Sequence, residues 1–148
     1  MIEEKGGHPP YEKEELIYFN EGLFGFEEYK KFLPLPMEDD NDAVLCLLSV
    51  EDENLSFIIM NPFRIMKEYS PVLPEEVYKK LGTSKDDDLS FYVICVVADP
   101  AEDSTVNLKC PIVVNTVNRK AVQVILETEE YQFRHVLKNL ENSLAEEV

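Results

Sequence analysis

The sequence predicts a mostly-β protein: a small antiparallel β-barrel or sandwich-like single domain with one short internal helix and a C-terminal helix. Apolar runs of strand length alternate with short polar turns, and most spacings between neighbouring runs suit hairpins. The 148 residues, 45% of them hydrophobic, are enough for one core. Because most connections are short, a parallel α/β sheet is disfavoured.

The N-terminal part is expected to hold a flexible arm and the first strands. Residues 1–13 combine glycines, prolines and charges, whereas the domain itself is expected to span 14–140. Glu15–Phe19 is predicted to be a strand, and the glycines of Gly22–Glu27 predict a turn with unusual backbone angles. Phe32–Pro36 should be extended, with its prolines at a sheet edge or a bend.

The next segment predicts a hairpin followed by a corner. An exposed acidic turn is expected at Glu38–Asp42. It precedes two apolar strands, Ala43–Val50 and Leu55–Met60, whose separation fits a hairpin with a four-residue loop. Asn61-Pro62-Phe63 should end the second strand, because proline cannot donate a hydrogen bond to a sheet ladder.

The following region predicts one helix and three strands. Pro74–Gly82 has proline near its start, acids in the first turn, bases in the last and glycine at its end, which is typical of a short helix. Leu89–Ala98 is apolar on both faces and is expected to be a central strand buried on both sides. Ile112–Val117 and Ala121–Glu127 are predicted to form a second hairpin.

The C-terminus is predicted to be helical and to finish in an acidic tail at residues 141–148. Its apolar residues recur at helical spacing, and such a stripe is expected to face the core of its own domain, with docking of a partner as the alternative. The stripe consists of Phe133, Val136, Leu137, Leu140 and Leu144.

Charge is the strongest global signal in the sequence. Fourteen basic against 30 acidic residues leave a net charge of −16, which repels phosphate backbones and anionic membranes and favours a basic protein partner. The alternative is that the acidic surface serves solubility alone. The chain has no apolar run of about 20 residues, no secretory signal at its start and an odd set of three cysteines. A cytoplasmic protein without contact to nucleic acid or membrane is expected.

Residues for catalysis are few, and no enzymatic activity, metal or cofactor is expected. His8 lies in the predicted arm and His135 in the predicted terminal helix, and all three cysteines have apolar surroundings. The acidic runs at Asp39–Asp42 and Asp86–Asp88 lack the ligand spacing of a calcium loop. A pair of carboxylates that hydrolyses sugars remains an alternative in so acidic a chain.

Three further motifs have no catalytic use. They comprise Phe19, Gly22, Leu23, Gly25, Phe26 and Glu27, then Phe57, Asn61, Pro62, Phe63 and Tyr69, then Val106, Asn107, Leu108, Pro111–Asn115, Arg119 and Gln123–Leu126. With these residues, the chain resembles the flagellar assembly factor FliW family from about Leu16 to Tyr131. Phe24 stands where the family usually has proline, and Ala121 where glycine is common.

The resemblance implies a compact, barrel-like binding protein without cofactors. Family members bind the RNA-binding translational regulator CsrA and keep it from repressing flagellin synthesis. They also bind flagellin, which competes for them. The alternatives are a flagellin chaperone without effect on CsrA and, more distantly, a small hydrolase with a pocket around His135.

For contact with a partner, an exposed aromatic flanked by asparagine, proline and acids is a good candidate, because interfaces favour aromatic anchors with polar rims. The predicted partner-binding residues are Asn61, Pro62, Phe63, Tyr69, Pro71, Glu75 and Glu76. The competing interpretation is that this corner only caps the core. The residues predicted to be structural, holding turns, are Gly22, Gly25, Asn107, Pro111 and Asn115.

Overall fold

The computed structural model describes residues 11–38, 41–83, 85–100 and 103–137. Within them the chain forms nine strands, two short α-helices and two 3₁₀ helices, Lys13–Glu15 and Asp86–Asp88. The strands are β1 Ile17–Phe19, β2 Lys31–Glu38, β3 Asn41–Ser49, β4 Ser56–Met60, β5 Leu89–Val96, β6 Thr105–Val106, β7 Ile112–Asn115, β8 Lys120–Gln123 and β9 His135–Val136. The α-helices are α1 Pro62–Ile65 and α2 Glu75–Leu81.

Seven of the strands close into a barrel. Their hydrogen-bonded order is β4-β3-β2-β1-β8-β7-β5, and β5 pairs with β4 to complete the circle. All of these pairs are antiparallel except β1 with β8, which is parallel. The two-residue strands β6 and β9 form a ribbon that continues from β5 outside the circle. The mostly-β barrel prediction is therefore confirmed.

Alternate residues along the strands feed two apolar layers. All seven barrel strands contribute to the first, for example Phe19, Phe32 and Leu47, so this cluster is the barrel interior. The second cluster joins the outer face of β5, β7 and β8 to the two helices and includes Val93 and Leu81. Each strand of that wall is thus apolar on both faces, as the sequence of the β5 region indicated.

The prolines of β2 lie where the sheet tolerates them. Pro34 and Pro36 pair with β3 at Leu47 and Leu45, whereas β1 pairs with β2 only at Lys31 and Phe32. The proline-containing half of β2 therefore pairs with a neighbouring strand on one side only. The prolines can lie there because no ladder hydrogen bond on the other side requires their N–H groups. The expectation of an edge holds for this half of the strand.

Helix α2 ends where the sequence predicts, and a hairpin turn secures that end. Gly82 adopts a left-handed conformation with φ +76° after the last helical residue. The side-chain amides of Asn115 and Asn118 both donate to the carbonyl oxygen of Leu81, at 2.8 and 3.0 Å. Since the last carbonyls of a helix lack partners within it, these amides stabilise the α2 terminus.

Several details of the sequence prediction are wrong: α1 is a second internal helix, the predicted strand Ala121–Glu127 ends at Gln123, and two other segments differ. Phe133–Val136 is not helical: His135 and Val136 form β9, and Phe133 is 58% exposed. Pairing of β9 with β6 replaces the intrahelical bonds that the apolar spacing suggested. The predicted strand to Ala98 ends at Val96, and Val96 and Val97 are more than half exposed, so burial on both sides stops before its end.

Some predictions lie outside the described residues. These are most of the arm at 1–13, the tip of the acidic turn, the rest of the stripe at Leu140 and Leu144, and the tail at 141–148. The flanks of that turn, Glu38 and Asn41, already belong to β2 and β3, so the strands are longer than expected. Within the described ranges, no helix is long and apolar enough to cross a membrane.

Candidate protein-binding site

The corner after β4 is built by a local capping motif. The side-chain oxygen of Asn61 accepts a hydrogen bond from the backbone N–H of Phe63 at 2.9 Å. Pro62 occupies the first position of α1, where its missing N–H costs nothing and its fixed φ suits a helix. The sequence Asn-Pro therefore starts a helix that was not predicted, and it turns Phe63 outward with 41% of its surface exposed.

A row of four aromatic rings supports this corner. The ring centroid of Phe63 lies 5.7 Å from that of Phe91 and 5.8 Å from that of Tyr69. Tyr69 in turn contacts Tyr131 at 4.7 Å. Tilted and edge-on pairs at these distances add to the stability gained by burial. Phe91 and Tyr131 were missed by the sequence analysis, and their positions in an apolar run and near the C-terminus give no local signal of this contact.

Tyr69 supports the corner from inside. Only 3% of its surface is exposed, and its hydroxyl donates to the buried carbonyl oxygen of Leu108 at 2.7 Å. Burial raises the pKa of Tyr69 far above its usual value, so the hydroxyl stays protonated. Pro62 is buried as well. Tyr69 and Pro62 expose little surface to a partner, and their predicted contact role stays a prediction.

A small cleft lies beside Phe63. It has a volume of about 190 Å³, and its walls come from the α1 corner and the first half of β5. The residues that line it are Asn61, Phe63, Leu89, Ser90, Phe91 and Tyr92. An exposed ring at the edge of a concave surface can pack against an apolar side chain of a partner, with Asn61 and Ser90 as polar neighbours.

The other predicted contact residues lie on the segment that leads into α2. Pro71 is partly exposed, and Glu75 and Glu76 are exposed in the first turn of that helix. Carboxylates at this position also interact favourably with the helix N-terminus, so they have a structural use apart from any partner. Their contact role, like that of Phe63, stays a prediction.

The residues predicted to hold turns occupy such positions. Gly22 and Gly25 have φ of +69° and +87°, and a Cβ at Gly22 would lie 2.5 Å from the backbone of Glu27. The side-chain oxygen of Asn107 accepts from the N–H groups of Lys109 and Cys110, at 3.1 and 3.0 Å.

Pro111 and Asn115 tie later segments together. Pro111 is buried, and its carbonyl oxygen accepts from the backbone N–H of Val124 at 2.9 Å. The side-chain oxygen of Asn115 accepts from the N–H of Val117 at 2.9 Å, in addition to the bond that Asn115 makes with α2. Both residues thus connect the β7–β8 hairpin to its surroundings.

Within the described residues, the environments of His135, Cys95 and Cys110 do not favour catalysis. His135 accepts a hydrogen bond from the N–H of Gln132 at 2.8 Å on Nε2, and burial lowers its pKa. Burial raises the pKa of the Cys95 and Cys110 thiols, which makes them poor nucleophiles at neutral pH. Among the residues with described positions, no group of three or more His, Cys, Asp or Glu side chains could hold a metal ion.

Comparison with known proteins decides the family. The family model described as FliW protein matches residues 1–137. The chain belongs to the FliW family. Flagellar assembly factor FliW of Caldicellulosiruptor bescii is 38% identical over 125 residues, covering 84% of this chain and 81% of that protein. Its counterpart in Clostridioides difficile is 38% identical over 121 residues, covering 82% of this chain and 92% of that protein.

The fold agrees with a solved FliW structure. A crystal structure of the flagellar assembly factor FliW superimposes with a TM-score of 0.82 at 33% sequence identity. The match covers 89% of this chain and 93% of that one. The resemblance inferred from the Gly-Phe-Glu turn, the Asn-Pro-Phe corner and the Asn-Leu…Pro-Ile stretch is confirmed.

Proposed function

We propose that this FliW-family chain is a non-enzymatic, cytoplasmic flagellar assembly factor that binds and antagonises the RNA-binding regulator CsrA and is itself sequestered by flagellin. The observation that carries the proposal is the family match over residues 1–137. The relatives bear the name flagellar assembly factor, which supports the flagellar part of the assignment. In this scheme free flagellin releases CsrA and so limits its own synthesis.

The charge of the chain supports a basic partner. At −16, it attracts the positive surface that an RNA-binding protein needs and repels the RNA itself. Bound beside such a surface, the acidic chain can lower RNA affinity by adding negative potential without covering the RNA site. A neutralised pair, Glu75→Gln/Glu76→Gln, then weakens RNA exclusion more than it weakens CsrA binding. Proportional loss of both would indicate simple occlusion.

Calorimetric titration tests the assignment. The chain is titrated with CsrA and with flagellin separately, and flagellin is then added to the CsrA complex. Binding of both with displacement of CsrA is the expected result. Binding of flagellin alone would instead indicate a chaperone without regulatory effect, and binding of neither would refute the proposal.

The contact surface is tested with two phenylalanines of similar exposure. Phe63 is 41% exposed at the α1 corner, whereas Phe24 is 46% exposed in the turn of the glycine motif. If Phe63 is an interface anchor, Phe63→Ala lowers affinity by roughly tenfold or more, as is usual for a buried aromatic anchor. Phe24→Ala is the matched control and leaves affinity within about twofold. Normal affinity in a folded Phe63→Ala variant would exclude the corner as the site.

A further inference from the structure

A second cleft lies apart from the Phe63 corner, between the segment before α2 and the chain after β8. Its volume is about 200 Å³. Two of its apolar residues are unusually open to solvent: Val72 is 80% exposed and Ile125 is 53% exposed. The lining residues are Ser70, Val72, Leu73, Pro74, Ile125, Leu126, Glu127, Thr128 and Glu130. None of the predicted partner-binding or turn-forming residues lines this cleft.

One wall of the cleft has the hydrogen-bonding pattern of an unpaired strand edge. The N–H groups of Val124 and Leu126 donate to the carbonyl oxygens of Pro111 and Lys109, both at 2.9 Å. Successive N–H groups of an extended chain point to opposite sides, so those of Ile125 and Glu127 point away from the 109–111 segment. Within the described ranges these two groups have no hydrogen-bond partner. Such an edge is a template for an added strand.

The rim of the cleft is acidic. Glu127 and Glu130 line it and are exposed, and no lysine or arginine is among its lining residues. One cation is nearby: the ammonium group of Lys109 donates to the carbonyl oxygen of Thr128 at 2.6 Å. Glu129 adds a third exposed carboxylate to the same short segment, so negative charge prevails over that lysine.

We propose that this cleft binds an extended segment of a partner protein that carries an apolar residue and a basic residue two positions apart, on the same face of the segment. The segment pairs its backbone with Ile125 and Glu127, places an apolar side chain between Ile125 and Val72, and directs lysine or arginine toward Glu127 and Glu130. A second copy of the chain is a poor occupant, because two molecules of charge −16 repel each other. The inference rests on the proposed function only in that the chain acts by binding proteins.

The probe is a short capped peptide in which valine and lysine alternate at every second position with serine between them, and its counterpart of equal length has glutamate in place of lysine. Titration of the ¹⁵N-labelled full chain is followed by amide chemical shifts and by hydrogen exchange. The lysine peptide is expected to shift the Ile125 and Glu127 amides and to slow their exchange. The glutamate peptide is expected not to bind. Neither CsrA nor flagellin takes part, so failure here is distinct from failure of the proposed function.

Two pairs of variants locate the binding. Glu127→Gln/Glu130→Gln should weaken the lysine peptide by roughly three- to tenfold at low salt, as expected for two exposed charge pairs. Glu28→Gln/Glu53→Gln changes the net charge equally and should leave the affinity nearly unchanged. Ile125→Ser should abolish the amide protection, whereas Val117→Ser, at an exposed β-branched residue outside the cleft, should preserve it.

Several results would overturn the proposal. Equal binding of both peptides would mean that charge does not select the ligand. Shifts centred on Phe63 and Phe91, or no binding by either peptide, would exclude the cleft as the docking surface. Protection of the Ile125 amide that rises with protein concentration alone would identify a second copy as the occupant.

Discussion

Removing the hydroxyl of Tyr69 measures how much its buried hydrogen bond stabilises the fold beneath the Phe63 corner. This hydroxyl donates to the carbonyl oxygen of Leu108 at 2.7 Å, and both residues are almost completely buried. In the described part of the chain, Leu108 has no other hydrogen-bond partner for that oxygen. Tyr69→Phe keeps the ring contacts with Phe63 and Tyr131 and removes only the donor. It therefore leaves a buried carbonyl unsatisfied.

The expected cost follows from that geometry. An unsatisfied buried acceptor destabilises a protein by about 1–3 kcal/mol. For a chain of this length the melting temperature should fall by roughly 3 to 10 °C. Tyr78→Phe is the matched control, because the hydroxyl of Tyr78 donates to Asp86 at 2.7 Å in an exposed position, where water replaces the lost bond. Its cost should stay within about 0.5 kcal/mol.

Urea unfolding followed by circular dichroism measures both variants, and titration with the binding partners follows in native conditions. Because Tyr69 is buried, its Phe variant should bind partners within about twofold of the parent chain, in contrast to the loss expected for Phe63→Ala. Equal stability of the Tyr69→Phe and Tyr78→Phe variants would refute the reasoning. A large loss of affinity without loss of stability would make Tyr69 a contact residue after all.

Three further predictions concern other parts of the fold. Gly22→Ala should destabilise more than Gly25→Ala, because both have positive φ but only at Gly22 would the new Cβ clash with backbone; unfolding free energies of the two variants check this. Burial lowers the pKa of His135 in the folded state below 6.5, so the unfolded chain binds this proton at a higher pH than the folded chain does. As the pH falls from 7 to 5.5, the free energy of unfolding should therefore decrease more in the parent than in His135→Gln. In native protein Cys46, which is partly exposed, should react with a thiol reagent before the buried Cys95, as peptide mapping would show.

Local signals in the sequence account for much of the fold. The four-residue loop and paired apolar runs predicted the β3–β4 hairpin, and Gly82 predicted the end of α2, because both depend on neighbouring residues. The parallel pairing of β1 with β8 had no such signal, since it joins opposite ends of the chain. The helical prediction failed at Phe133–Val136 for the same reason: Val136 has helical spacing, but β6 provides its actual partner.

The candidate site shows the same division. Asn61 and Pro62 were recognised as a corner because proline ends a strand, which is a local effect, whereas the helix that they start was not predicted. The burial of Tyr69 depends on Leu108 and Tyr131, which are distant in sequence, so no pattern around Tyr69 could distinguish a contact residue from a support. The cleft at Ile125 was also invisible, because its two walls come from separate segments.

The parallel contact between β1 and β8 constrains how the chain is made. Phe19 pairs with Ala121, which leaves the ribosome roughly a hundred residues later. At translation speeds of about 5–20 residues per second, β8 emerges roughly 5 to 20 seconds after β1. Until then the edge of β1 that pairs with β8 is open, and the apolar residues of the barrel interior are exposed to solvent. Synthesis therefore passes through an unclosed sheet, and a chain truncated before β8 should aggregate rather than fold.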